Sequence, residues 1–306
     1  MQQAARAQRG GHKPAGKDAN GKTSSWHGAM LGLLVVQMVL VSCQPRKAVE
    51  SDESSAVPFS ISSEPTTSVF KFPSQSATQR IRLGQSVQHR PIELIVLEGD
   101  PEDAVLVIGG IHGDEPTSVD VARGLAELLE AQPALRCGRL VGLIVNANPD
   151  GLAAGTRGNA RGIDLNRNFP ASNFKPGLGG RYRGGDSPLS EPESRVIADA
   201  VARIRPKLLI SIHSIGSGRH CNNYDGPARH IAQEMSRHNG YPATATIGYA
   251  TPGSLGSWAG KDLQIPMITL ELPRRLDGVH VWAENRRALL AGIAIRTPKK
   301  TPDPLK

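Results

Sequence analysis

Ala104-Val-Leu-Val-Ile-Gly-Gly-Ile-His-Gly-Asp-Glu115 decides how this chain folds. Ala104 to Gly109 is a short apolar run with turn residues behind it, the pattern of a buried strand. Beyond it, Val119, Leu125, Leu128 and Leu129 recur at roughly helical spacing, so the turn Gly110–Glu115 joins a strand to a helix. His112 and Glu115 therefore lie in one strand-to-helix loop. Two more runs repeat the strand pattern: Lys207-Leu-Leu-Ile-Ser-Ile-His213 ends in a histidine, and Ile265-Pro-Met-Ile-Thr-Leu-Glu271 ends in a carboxylate. Strands of this kind with a helix between them predict an α/β fold, in which residues at the carboxyl ends of parallel strands converge on one crevice.

Each fragment has an ordinary reading when taken alone. A His-x-x-Glu loop is often only solvated, a strand-end histidine is often a satisfied core residue, and Glu271 could pair with Arg274 or Arg275. Jointly they read as a hydrolytic site. Two imidazoles and a carboxylate (His112, His213, Glu115) suit one Zn2+ per chain with a fourth position open to water, and Glu271 is a further carboxylate able to act on that water.

A further segment makes the pattern specific. Asn146-Ala-Asn-Pro-Asp-Gly151 is followed by Arg157 and by Gly162-Ile-Asp-Leu-Asn-Arg-Asn-Phe-Pro170, and later by Gly248-Tyr-Ala-Thr-Pro-Gly-Ser-Leu-Gly-Ser-Trp258. With these motifs the chain resembles the zinc carboxypeptidase family over roughly residues 81–295, most closely its branch of murein peptide amidases, which act on γ-D-glutamyl-diaminopimelate. The resemblance implies a three-layer α/β/α fold with a mixed, largely parallel central sheet. It also implies roles: His112, Glu115 and His213 as zinc ligands, Glu271 as the carboxylate that takes a proton from water and hands it to the leaving amine, and Arg157 as the group that polarises the scissile carbonyl. Asn166 and Arg167 match the pair that holds the substrate's terminal carboxylate, and Tyr249 matches a mobile tyrosine that closes over substrate. Two other functions fit less of this pattern: a general metallocarboxypeptidase on ordinary peptides, to be decided by a pocket floor near Leu255 and Asp225, and a catalytically silent lipoprotein that binds muropeptides. Ser190-Glu-Pro-Glu193 reads as structural, with Ser190 as a helix N-cap and Glu193 closing a capping box.

Composition and chain ends place the site in a compartment. Of the 306 residues, about 220 have the pattern of one packed domain, over 80–296. A basic stretch with Arg6, Arg9, Lys13, Lys17 and Lys22 precedes the apolar run Met30-Leu-Gly-Leu-Leu-Val-Val-Gln-Met-Val-Leu-Val41, which is short for a bilayer span and ends in Leu40-Val-Ser-Cys43. That ending resembles a bacterial lipobox. Residues 1–42 then read as a lipoprotein signal peptide, Cys43 as the lipidated anchor, 43–79 as a flexible tether rich in Ser, Thr and Pro, and 297–306 as a disordered tail. The expected location is the cell envelope, with the catalytic domain outside the cytoplasm in the periplasm.

The net charge is +8, half of it within residues 1–42. A modest basic excess without aromatic interleaving or a nucleic-acid motif fits an anionic partner such as a murein peptide, not a nucleic acid. Cys137 and Cys221 are left beyond Cys43, and two cysteines in a domain of this size more often stay unpaired than bridge.

Overall fold

The computed structural model describes residues 78–296 apart from 217 and 275. The expected signal peptide, Cys43, the tether up to residue 77 and the tail fall outside the described residues. Eight strands form one mixed sheet in the order β1-β2-β4-β3-β5-β8-β6-β7. Its centre is parallel: β3 (Asp100–Ile108) lies between β4 (Arg139–Ile144) and β5 (Leu208–Ile215), and β5 pairs with β8 (Met267–Pro273). Antiparallel strands close both sides, β1 (Thr78–Gln85) and β2 (Pro91–Leu97) on one, and β6 (Cys221–Asp225) on the other, where β7 (Ala243–Thr244) pairs parallel to it. This is the three-layer, largely parallel architecture expected from the sequence.

The alternation of strand side chains divides the interior into two cores. From β3, Val105 and Val107 face a core shared with α1 (Pro116–Ala131), α4 (Arg229–Asn239) and α5 (Gly278–Ala294), to which β5 adds Leu208, Ile210 and Ile212. Ala104, Leu106 and Ile108 face the opposite core, with Ile197, Ala200 and Val201 of α3 (Pro192–Ile204) and Phe169 and Leu255 from loops. Both faces of the central strands are thus covered, which is why these strands read as unbroken apolar runs. Leu128 of α1 is only partly buried, at the margin of its core. No helix among the described residues is long and apolar enough to cross a membrane.

One local expectation needs correction. Helix α3 starts at Pro192 with Glu191 at the N-cap, and no side chain caps it. The Ser190 hydroxyl instead donates to the Glu191 carboxylate (2.9 Å) and accepts from Asn168 Nδ2 (2.9 Å), while Glu193 accepts from the Val87 amide and Asn159 Nδ2. The proline takes the first helical position, where its fixed φ suits a helix start, and the polar side chains tie down the loops on either side. At Cys221 the cysteine expectation holds: it is a free buried thiol in β6, so no Cys137–Cys221 bridge forms. Burial, with the neighbouring Glu271 carboxylate, pushes this thiol up to about 12, which keeps it protonated.

Candidate metal and active site

The loop after β3 has little room. A Cβ on Gly113 would lie 1.9 Å from the backbone of Gly151, so only glycine lets the two loops touch, and Gly110 takes a positive φ of +66° just before. This tight turn folds His112 and Glu115 back over the sheet, both 3% exposed. Strand β5 brings His213 to the same point, because β3 and β5 are neighbours. Strand β8 brings Glu271, which sits directly opposite His213 in the parallel register.

Nδ1 of His112 lies 3.0 Å from Oε1 of Glu115, Nδ1 of His213 lies 3.1 Å from Oε2 of Glu115, and the two Nδ1 atoms are 3.0 Å apart. The three residues offer ligand atoms all within 4.8 Å of one another, and among the described residues they are the one such group of histidine and acid. Two imidazole nitrogens and one carboxylate, with cavity space beside them, fit a catalytic zinc. Asp164 strengthens the fit: its Oδ1 lies 3.0 Å from His112 Nε2, so the outer face of the ring is held and Nδ1 is aimed at the cluster.

The charges are strongly coupled. Burial opposes a proton on His112, but the carboxylates of Glu115 and Asp164 outweigh it and hold the ring up at about 9. Glu115 is held well below the usual carboxylate range, burial notwithstanding, by His112 and His213. His213 goes the other way, since burial outweighs its bond to Glu115. Burial and the nearby Glu115 raise Glu271 to about 8, against the pull of His112 and two arginines.

Sequence-predicted residues converge here. Arg157 donates from Nε to Asp164 (2.9 Å) and lies 3.4 Å from Glu115. Asn166 accepts the Leu255 amide on Oδ1 (2.9 Å), and Arg167 donates to the Asn166 carbonyl (2.6 Å) with its guanidinium 5.2 Å from the Tyr182 ring centre. All three, with His112, Glu115, His213, Tyr249 and Glu271, line a cavity of 330 Å³. Arg274 does not neutralise Glu271 as the sequence allowed. It binds Glu115 (3.1 Å) and Asp114 (3.3 Å).

A second cavity, of 490 Å³, shares Asn166, Tyr249 and Glu271 with the first. Asp225 and Lys261 meet in its wall at 3.3 Å, among Asn223, Ser254 and Thr269. A Cβ on Gly256 would stand 2.3 Å from Asp225 Oδ2, so the missing side chain is what lets this carboxylate into the wall. Leu255 is not part of this floor; it is fully buried in the core. Sequence reasoning missed Asp164, Tyr182 and Lys261. Asp164 alone had a signal, since it opens the same Asp-Leu-Asn-Arg string that supplied Asn166 and Arg167.

Comparison with known proteins agrees with this geometry. Residues 70–280 match the zinc carboxypeptidase family. Murein peptide amidase A of Escherichia coli is 34% identical over 207 residues, covering 62% of this chain and 79% of that protein. The Vibrio campbellii protein of the same name is 31% identical over 203 residues, covering 62% and 77%. The crystal structure of murein-tripeptide amidase from Escherichia coli superposes with a TM-score of 0.58 at 29% identity, covering 74% of this chain and all of that one. Carboxypeptidase A from Helicoverpa armigera shares the fold at 20% identity, with a TM-score of 0.61 and coverage of 71% and 68%. By sequence, by fold and by the side chains gathered at the ends of β3, β5 and β8, this chain belongs to the zinc carboxypeptidase family and is a hydrolase.

Proposed function

We propose that the protein is a zinc-dependent amidase that cleaves the γ-D-glutamyl-meso-diaminopimelate bond of murein peptides. The observation that carries this reading is the second cavity. The side chain of diaminopimelate ends in a carbon bearing both an ammonium and a carboxylate, and Asp225 beside Lys261 offers one charge of each sign next to Glu271 and Asn166. An ordinary apolar or singly charged side chain would leave one of the two unmatched. The similarity to murein peptide amidases supports the same substrate class.

His112, Glu115 and His213 hold one zinc, and the chemistry a bound zinc supplies there is Lewis acidity toward water and carbonyl oxygen. The remaining work falls to this chain's side chains. Glu271 accepts a proton from the attacking water and returns it to the leaving amine, a cycle suited to a carboxyl group raised toward neutrality. Arg157, fixed by Asp164, meets the charge that develops on the scissile oxygen. Asn166 and Arg167 take the carboxylate next to the scissile amide, and Tyr249, 38% exposed at the mouth, covers the bound peptide.

The domain is anchored to the envelope membrane through an acylated Cys43 and works on the periplasmic side. Cys43→Ser should abolish lipidation and move the protein out of the membrane fraction, and an unchanged distribution would defeat that part of the reading. For the chemistry, zinc-loaded protein should convert L-Ala-γ-D-Glu-meso-diaminopimelate to L-Ala-γ-D-Glu and free diaminopimelate, read by mass spectrometry. Amidating the C-terminal carboxylate of the diaminopimelate should sharply reduce cleavage. Faster release of C-terminal residues from ordinary α-linked peptides would show a general carboxypeptidase instead.

A further inference from the structure

The catalytic cavity is lined by five arginines, and two of them have tasks above: Arg157 at the scissile oxygen and Arg167 at the terminal carboxylate. Of the others, Arg219 stacks near Tyr249, its guanidinium 5.9 Å from the ring centre. Arg274 and Arg181 form a different unit. They come from the end of β8 and from the loop around residues 180–182, yet both donate to the same oxygen, Oδ2 of Asp114, each at 3.3 Å. Arg274 also reaches Glu115 at 3.1 Å, which places its guanidinium beside the metal-ligand cluster. Neither lines the Asp225 cavity, so both lie outside the pocket assigned to the leaving residue.

Charge counting shows what this unit lacks. Glu115 is committed to the metal set, which leaves two guanidinium groups sharing the single carboxylate of Asp114. One positive charge is in excess. Both heads remain open to the cavity, with side chains 35% exposed at Arg274 and 54% at Arg181, and each presents a planar fork suited to a carboxylate. A peptide joined through the γ-carboxyl of D-glutamate has a free carboxylate in that direction, because its α-carboxylate is not part of the backbone. Four carbon–carbon bonds separate the scissile carbonyl carbon from that α-carboxylate, a reach of about 5 Å. Among ordinary α-linked peptides only one with glutamate in the acyl position carries a carboxylate at that reach.

We propose that Arg274 and Arg181, held together by Asp114, form an acyl-side carboxylate site that recognises the free α-carboxylate of a γ-linked glutamate. This inference rests on the amidase reading and adds to it the means by which a γ-linked glutamate is told apart from acyl groups that lack a carboxylate at that reach. The site positions substrate and takes no part in proton transfer.

The test compares two tripeptides, L-Ala-γ-D-Glu-meso-diaminopimelate and its analogue amidated at the glutamate α-carboxylate, on the full zinc-loaded chain and on Arg274→Gln and Arg181→Gln. Wild-type kcat/KM should fall by roughly 10- to 100-fold on amidation, the effect of losing a charge-assisted pair. In each variant the acid tripeptide should become a poorer substrate, and the penalty for amidation should shrink to about threefold or less. A general loss of folding or of zinc would slow both substrates alike and leave the ratio at its wild-type value. Zinc content is measured in parallel because Arg274 touches Glu115, and Arg181→Gln, which touches Asp114 alone, carries the test if Arg274→Gln loses metal. Equal wild-type rates on the two tripeptides, or an undiminished penalty in Arg181→Gln, overturn the inference while leaving the amidase reading in place. Failure of the wild type to cleave the acid tripeptide overturns both.

Discussion

At the amino ends of β3 and β4 the protein buries an ion pair that is complete in itself, whereas at the carboxyl ends of β3, β5 and β8 it buries one that is not. In the first, Arg139 is fully buried and its charge is paired: Nη2 lies 2.9 Å from the Asp103 carboxylate as an ion pair without a hydrogen bond, Nε donates to the Asp103 carbonyl (3.1 Å), and Nη1 donates to the carbonyls of Ile293 and Ile295 (2.9 and 2.8 Å). The pair ties the sheet to the end of α5, where helix carbonyls would otherwise lack partners. In the second, two imidazole nitrogens face each other across one carboxylate, and among the described residues His213 Nε2 is buried without a hydrogen bond. One cluster satisfies its own charges, and the other keeps basic nitrogens aimed at a common point. The difference separates a stabilising cluster from one that gives up local stability in order to bind.

The comparison breaks most visibly at Glu271. Glu271→Gln should lower turnover by roughly 10²- to 10⁴-fold, the usual worth of general acid–base catalysis, while zinc content and thermal stability stay near wild type. Near-normal turnover in that variant would remove Glu271 from the chemistry. Arg139→Ala should do the reverse. Removing one partner of a buried pair costs about 3–5 kcal/mol, which denaturant unfolding would register, and the protein that remains folded should bind zinc as before. A stability change below about 1 kcal/mol would mean that water replaces Arg139 more readily than its burial implies.

Asp164 tests whether the functional cluster depends on its supporting residues. It is 1% exposed and supports both His112 and Arg157, so Asp164→Asn keeps the shape while removing the charge. Zinc affinity should fall about 10- to 100-fold in competition with a chromogenic chelator. An unchanged affinity would show that the strand-to-helix turn alone orients His112.

These clusters also differ in how far the sequence exposed them. His112, Glu115, His213 and Glu271 were legible because each ends an apolar run or lies in the turn directly after one, and a parallel sheet brings such ends together. The same logic revealed an α/β fold, and the family resemblance implied its three layers. Asp164 was hidden because its role depends on a contact 52 residues away, though its string was conspicuous. Arg139 gave no signal: its partners Ile293 and Ile295 are carbonyls more than 150 positions along, and a carbonyl looks the same in every residue. Arg274 was visible as a neighbour of Glu271 but misplaced, since the chain leaves β8 after Pro273 and swings the guanidinium toward Asp114 and Glu115. The capping box at Ser190 failed for a local reason, because Pro192 fixed the helix start and the side chains were taken by loop contacts.

The smallest effect is also the most specific to the metal cluster. Without metal, His112 is held at about 9, above its ordinary 6.5, so near neutral pH its ring carries a proton that Glu115 and Asp164 stabilise. A folded-state value above the unfolded one adds stability that is fully present below 6.5 and is lost as the pH rises through about 9. Chelated protein should therefore melt at progressively lower temperature across that window. Zinc and the proton compete for Nδ1 of His112, so binding at about pH 7 should release close to one proton per ion, measured by titration calorimetry in buffers of different ionisation enthalpy. Release should fall toward zero once the pH passes the His112 value of about 9. Arg139→Ala should leave the proton count untouched, because its cluster takes up no ion. A count that stays near zero at neutral pH would show that His112 is already neutral, and that Asp164 orients the ring without charging it.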